Sequence, residues 1–203
     1  MELKANNISF SYNKKRPILK DVSLSLKSNQ IIGLMGDSGS GKSTLCKILS
    51  GYIQNYSGEV TLDGNKIPDK DFYPVQLIFQ HPEKTMNPKW KMEKVLNESW
   101  TPPQDLKDTF GLKEGWLTRW PSELSGGELQ RFSILRALNP KTKFIIADEI
   151  STMLDAVTQV QIWDKLIQYA KANNIGILAV SHDEELLEVL CDDILLFKEI
   201  NNL

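Results

Sequence analysis

Ile31-Ile32-Gly33-Leu34-Met35-Gly36-Asp37-Ser38-Gly39-Ser40-Gly41-Lys42-Ser43 is the stretch on which the fold turns. A short apolar run, fit for a buried strand, enters a turn that matches G-x-x-x-x-G-K-[ST]. Residues 42–50 then carry Leu45, Ile48 and Leu49 at helical spacing, and Gly51 stops the helix. Strand, glycine loop and helix in that order make an anion cradle. The glycines let successive backbone N–H groups curl around phosphate oxygens, and the helix start adds its positive end. Lys42 then reaches the β- and γ-phosphates, and the Ser43 hydroxyl is a ligand for magnesium. A Gly/Ser-rich surface turn is the competing reading, and the flanking strand and helix weigh against it.

Working outward, residues 8–12 and 22–26 alternate apolar and polar residues, as half-buried strands do, across a polar turn at 13–16. Within residues 58–67, Asp63-Gly64 between two alternating runs signals a hairpin and hence a small antiparallel layer. From His81 to about Trp120 the chain is polar and cut by Pro82, Pro88, Pro102, Pro103 and Pro121, which reads as an inserted, partly helical arm. Beyond Pro140 strand and helix alternate again. Residues 144–147 form a strand, then Val160, Trp163, Leu166, Ile167 and Ala170 mark one helix face, and residues 175–180 form the next strand. Residues 186–190 and 194–197 add a last helix and strand, so the class is α/β with a parallel core.

Composition sets outer limits. At 203 residues the chain supports one substantial core, and 24 Lys plus Arg against 26 Asp plus Glu leave no basic field for nucleic acid. Cys46 and Cys191 lack metal-ligand spacing and read as small buried hydrophobes in a reducing compartment. Residues 1–10 do not read as a signal peptide, so the product is expected to stay inside the cell. Apolar runs such as 175–180 fall far short of the roughly 20 residues a spanning helix needs. Any membrane role is expected to come through partners.

Two further stretches carry chemistry. Phe144-Ile145-Ile146-Ala147-Asp148-Glu149 puts two carboxylates at the end of an apolar strand, where sites in open parallel sheets lie. With the phosphate loop present, Asp148 is the expected magnesium partner and Glu149 the group that orients or deprotonates a water. Leu124-Ser125-Gly126-Gly127-Glu128-Leu129-Gln130-Arg131 places a serine and two glycines at a helix start, a second anion site. This motif resembles the signature of ABC ATPases.

The resemblance spans almost the whole chain and implies a RecA-like P-loop NTPase core with an N-terminal antiparallel β subdomain and a short inserted helical subdomain. Residues 1–203 form a single domain under it, with 1–80 and 139–203 as the nucleotide-binding core and 81–138 as the insertion. Its cofactors are ATP and Mg2+. Gly36, Asp37, Ser38, Gly39, Ser40, Gly41, Lys42, Ser43 and Thr44 then hold the triphosphate, while Ser125, Gly126 and Gly127 close over the nucleotide of an opposite subunit. Gln80 resembles the Q-loop glutamine that touches metal or water, which puts it with Ser43 and Asp148 around magnesium. His182 resembles the switch histidine at the γ-phosphate. Residues 151–155 resemble the D-loop, with Asp155 its acid, and Tyr12 resembles the aromatic that stacks on adenine, where packing alone is the alternative. Ile150 departs from the usual proline, and Met153-Leu154 from the usual small pair. The arm between Gln80 and Ser125 is short for the family, and residues 201–203 close the sequence where a further strand or extension is usual.

Gln80-His81-Pro82-Glu83-Lys84-Thr85-Met86-Asn87-Pro88 and Trp120-Pro121-Ser122-Glu123-Leu124 are similar to peptide and nickel importer ATPases, and residues 148–163 to the nickel, cobalt and metallophore-linked branch. That likeness implies a second ATPase subunit, in a heterodimer or else a homodimer. It also implies two transmembrane permeases, an extracytoplasmic solute-binding protein, and a peripheral place on the cytoplasmic face of the membrane. The competing classes are a soluble ABC ATPase working mechanically on ribosomes or DNA, and a nucleotide-binding partner with little turnover. The first generally brings tandem halves or a long coiled insertion, and neither is in this sequence.

Overall fold

In the computed structural model, residues 1–13, 16–68, 72–152 and 154–203 are described. Part of the turn expected at 13–16, and Met153 of the D-loop stretch, lie outside them. Strands β1 (Glu2–Phe10) and β2 (Leu19–Lys27) pair antiparallel, with register shifts on either side of Ile8. β1 starts six residues ahead of the run that alternation marks, because Leu3 and Ala5 are buried while the Asn6-Asn7 step, with Asn7 at φ 50°, blurs the period. β4 (Ser57–Leu62) adds to β1, and β5 (Asn65–Lys66) closes the hairpin predicted at Asp63-Gly64, whose φ angles of 49° and 76° suit a two-residue turn.

A parallel sheet lies beneath this layer. β3 (Ile31–Met35), β6 (Val75–Ile78), β7 (Phe144–Asp148), β8 (Gly176–Ser181) and β9 (Asp193–Leu196) run in the order β6-β7-β8-β3-β9. Both faces are covered, and the period-two rule divides them. Phe144, Ile146, Leu178 and Val180 point into the cluster beneath the antiparallel sheet and α1 (Lys42–Leu49). Ile145, Ala147, Ile177 and Ala179 point into the opposite cluster, built with α4 (Gly126–Ala137), α5 (Ala156–Ala172) and α6 (Glu184–Leu190).

The inserted arm holds α2 (Met92–Leu96), α3 (Gln104–Thr109) and three short 3-10 turns. Its Phe110 and Trp116 join the same cluster as Phe132 and Ile145, so the arm shares its core with the parallel sheet. Two sequence expectations need correction. Val160 is 65% exposed, and Ile162 takes its place beside Trp163, Leu166 and Ala170 on the buried face of α5. Phe197 opens a further short helix, α7 (Phe197–Ile200), instead of ending the last strand.

Candidate functional site

Four neighbouring strands deliver the site from their carboxyl ends. Gln80 follows β6, Asp148 ends β7, His182 follows β8, and the phosphate loop follows β3. The loop, Glu149 and His182 line a cleft of about 670 Å³. Lys42 is buried, and its ammonium donates to the Gly36 and Asp37 carbonyls at 2.5 and 2.8 Å. The Ser40 hydroxyl is buried and, among the described residues, has no partner. A buried cation resting on loop carbonyls, beside an orphaned hydroxyl, suits a multiply charged anion that engages both.

Asp148 sits behind the loop. Burial pushes its carboxyl up, a hydrogen bond with Ser43 draws it back down, and the charge of Glu149 raises it again. A buried acid so placed next to a hydroxyl fits a divalent cation, for which Ser43 and Asp148 would supply the oxygen ligands. When bound, such a cation neutralises charge on the phosphates and fixes their orientation.

Glu149 adopts φ 49°, a left-handed conformation that side chains rarely take. Its amide donates to Val180 at 3.0 Å, which ties the strained residue to β8. That conformation aims the carboxylate at two neighbours. Gln80 Nε2 donates to Oε2 at 2.8 Å, and His182 Nδ1 lies 3.3 Å from Oε1. Both carboxylate oxygens are therefore addressed, in a geometry able to present a water to a phosphorus atom.

Tyr12, past the end of β1, is largely exposed; its ring meets Phe10 edge-on at 4.8 Å, and its hydroxyl lies 3.4 Å from Thr44 Oγ1. It stands over the helix that the loop feeds. Ser125, Gly126 and Gly127 lie elsewhere: they do not line the cleft. Ser125 caps α4 in a reciprocal box, accepting from Glu128 N at 3.3 Å while its own N–H donates to Glu128 Oε2 at 2.7 Å. Asp155 likewise caps α5, accepting from the Thr158 amide at 3.0 Å and the Thr158 hydroxyl at 2.7 Å. These hydrogen bonds hold the carboxyl of Asp155 below its usual range.

Three contacts were not legible from motif reading. Gln130 Nε2 lies within reach of the Phe79 carbonyl at 3.4 Å, so the signature helix props the residue preceding Gln80. The Leu154 side chain presses on Gly127, where an ideal Cβ would come within 2.9 Å. Phe197, Lys198 and Asn201 form one wall of the cleft. Only the first had a hint, the glutamine of the signature itself.

Known proteins share this arrangement. The ABC transporter family model matches residues 19–152. The nickel import system ATP-binding protein NikE of Staphylococcus aureus (strain bovine RF122 / ET3-1) is 33% identical, over 98% of this chain and 87% of its own length. NikE of strain USA300 is 32% identical over the same shares. Among solved structures, a dimeric bacterial ABC transporter cassette is 25% identical with a TM-score of 0.80, over 96% of this chain and 93% of that one. A putative ABC transporter ATP-binding protein from Pyrococcus furiosus has a TM-score of 0.81 at 17% identity, over the full length of both chains. With its phosphate loop, paired carboxylates and signature in the family's order on the family's fold, this chain belongs to the ABC transporter family as one of its ATP-binding, ATP-hydrolysing subunits.

Proposed function

We propose that this chain energises an importer, taking up a nickel-type transition-metal ion or its chelate, with oligopeptide as the second candidate. The nickel reading rests on the resemblance to NikE and on the segments 80–88, 120–124 and 148–163. The subunit works as a single domain, with 81–138 as its inserted arm, against a second ABC ATPase chain in a heterodimer. Two membrane permeases and an extracytoplasmic binding protein complete the system, and this subunit sits peripherally on the cytoplasmic face. Among the described residues no helix is long and apolar enough to cross a membrane, consistent with that role.

Mg-ATP enters the loop of one chain and meets the Ser125 helix start of the other. Ser43, Asp148 and Gln80 would hold the magnesium, which would neutralise phosphate charge together with Lys42; Tyr12 stacks on the base, and Asp155 lies at the joint between chains. Closure drives the permeases, hydrolysis reopens the pair, and the cargo itself never touches this chain. The observation that carries the reading is the Glu149 carboxylate held by Gln80 and His182 beside the phosphate loop.

Glu149→Gln tests it in the assembled complex. Single-turnover hydrolysis at this chain's loop is expected to fall about 10²–10³-fold while Mg-ATP binding persists. Unchanged hydrolysis would mean that this loop is not the productive one. Uptake of labelled nickel, compared with a labelled oligopeptide in cells carrying Lys42→Ala, separates the two cargoes by which uptake is lost.

A further inference from the structure

The two ends of the phosphate loop rest on segments far apart in sequence. An ideal Cβ on Gly36 would stand 2.9 Å from Phe197 Cβ, at the head of α7. One on Gly41 would stand 3.0 Å from the Ile18 carbonyl oxygen and 3.2 Å from Leu19 Cδ2, at the head of β2. Gly41 has φ 116°, so no other residue gives this close approach without strain. The loop is seated on both supports.

Asn201 fastens the supports to each other. Its Oδ1 accepts from Lys20 N at 2.9 Å, and its Nδ2 donates to the Ile18 carbonyl at 3.2 Å. Alongside, Asn202 N donates to the Lys20 carbonyl at 3.1 Å, and Asn201 N to Phe197 at 3.0 Å. Asn201 is only 8% exposed, with both ends of its amide used. The chain of contacts continues to the aromatic side of the site. Ile18 N donates to the Phe10 carbonyl at 2.9 Å, and the Phe10 ring meets Tyr12.

We infer that Asn201 is a positioning residue for ATP: by tying α7 to the head of β2, it sets the separation between the phosphate loop and the Tyr12 platform. Glu149 and His182 share the cleft with Asn201, but among the described residues no hydrogen bond joins Glu149, Gln80 or His182 to this clasp, so its loss acts on nucleotide affinity more than on the hydrolytic step. The inference rests on the proposed role of Tyr12 as the adenine platform.

Calorimetric titration of Mg-ATP into the full 203-residue chain tests it, with hydrolysis at saturating Mg-ATP measured in the assembled complex. Asn201→Ala is expected to weaken binding about fivefold, the worth of a hydrogen-bond pair partly replaced by water. The saturating rate is expected to stay within about twofold. Asn201→Asp, nearly isosteric, keeps the acceptor for Lys20 but turns an oxygen toward the Ile18 carbonyl, so it also binds more weakly and serves if the alanine variant does not fold. Leu106→Ala, which loosens α3 in the arm, should lower the melting temperature and leave Kd unchanged. Unchanged affinity in a folded Asn201 variant, or equal weakening by Leu106→Ala, overturns the inference. An unsubstituted chain that takes up no Mg-ATP would instead overturn the functional reading beneath it.

Discussion

The phosphate loop and the signature turn are both glycine-rich helix starts, yet they differ in how much of their polarity is already spent. Around the loop, the Ser40 hydroxyl has no partner among the described residues, Lys42 leans on carbonyls, Asp148 is pushed up by burial, and Glu149 sits at a positive φ. At the signature, Ser125 and Glu128 satisfy each other, and the neighbouring Asp155 is satisfied by Thr158. Linkage gives the two acids opposite signs. Asp148, raised, contributes most below its unfolded pKa and loses that contribution as pH rises through its folded value, until a cation pairs with it. One turn keeps strained and buried polar groups around it while the other has its side chains paired within local structure, a contrast that suits the proposed division of the site between two chains.

The widest separation between the halves should come from paired substitutions. Lys42→Ala removes the buried cation and is expected to weaken Mg-ATP binding to the isolated chain on the order of 10²-fold. Ser125→Ala should leave that affinity within about twofold and cost about 1 kcal/mol of stability through the lost cap. In the assembled pair, Ser125→Ala is expected to slow hydrolysis at the opposite chain's loop at least about tenfold. Calorimetry on the single chain and single-turnover assays on the pair decide the matter. Weakened binding to the single chain by Ser125→Ala would place both turns in one site and break the comparison.

Gly127→Ala sharpens the contrast with a smaller effect. The new Cβ would come within 2.9 Å of Leu154 Cδ2, the far end of a flexible side chain that can turn away. Overpacking of about 1 kcal/mol is then offset by a helix-propensity gain of similar size, so the melting temperature should move by no more than about 2 °C. Under the proposed function hydrolysis by the pair should nevertheless fall about fivefold, because turning Leu154 away disturbs the helix start proposed to meet the neighbour's phosphate. Parallel loss of stability and activity would instead make Gly127 a packing residue alone.

The loop half was also the more legible in sequence. Its motif fixes backbone and side chains within eight residues, Gly36 to Ser43, and the strands around it are short apolar runs whose parallel setting, though not their order in the sheet, follows from alternation with helices. Legibility fails where the decisive partner is remote. Nothing local says that Asn201 meets Lys20, or that Leu154 meets Gly127. Val160 and Ile162 are equally apolar, and only the way α5 settles on the sheet decides which is buried. Phe197 continues the apolar run of β9, but its contact with Gly36 at the head of the loop goes with a turn into helix that strand propensity does not foresee. The shared core of the arm was hidden for the same reason: prolines such as Pro82, Pro103 and Pro121 mark where its short turns and helix begin, and say nothing of the parallel sheet that Phe110 and Trp116 join.

The smallest effect belongs to Asp155, and its pH dependence distinguishes a finished cap from a waiting site. The Thr158 hydroxyl and amide lower its folded pKa, so its contribution is fully present above the ordinary carboxylate value of about 3.9 and is lost as pH falls through the lowered one. Asn is itself a good cap, so Asp155→Asn removes the charge while keeping an acceptor, and the melting temperature at neutral pH should drop by only about a degree. Thermal melts of the two proteins should converge in acid, where the wild-type carboxyl is protonated too. Mg-ATP added to the isolated chain should not alter that difference, because Asp155 does not line the loop's own cleft. A difference that grows with Mg-ATP in the single chain would tie Asp155 to the same nucleotide as Lys42, and the division between the halves would fail at its weakest joint.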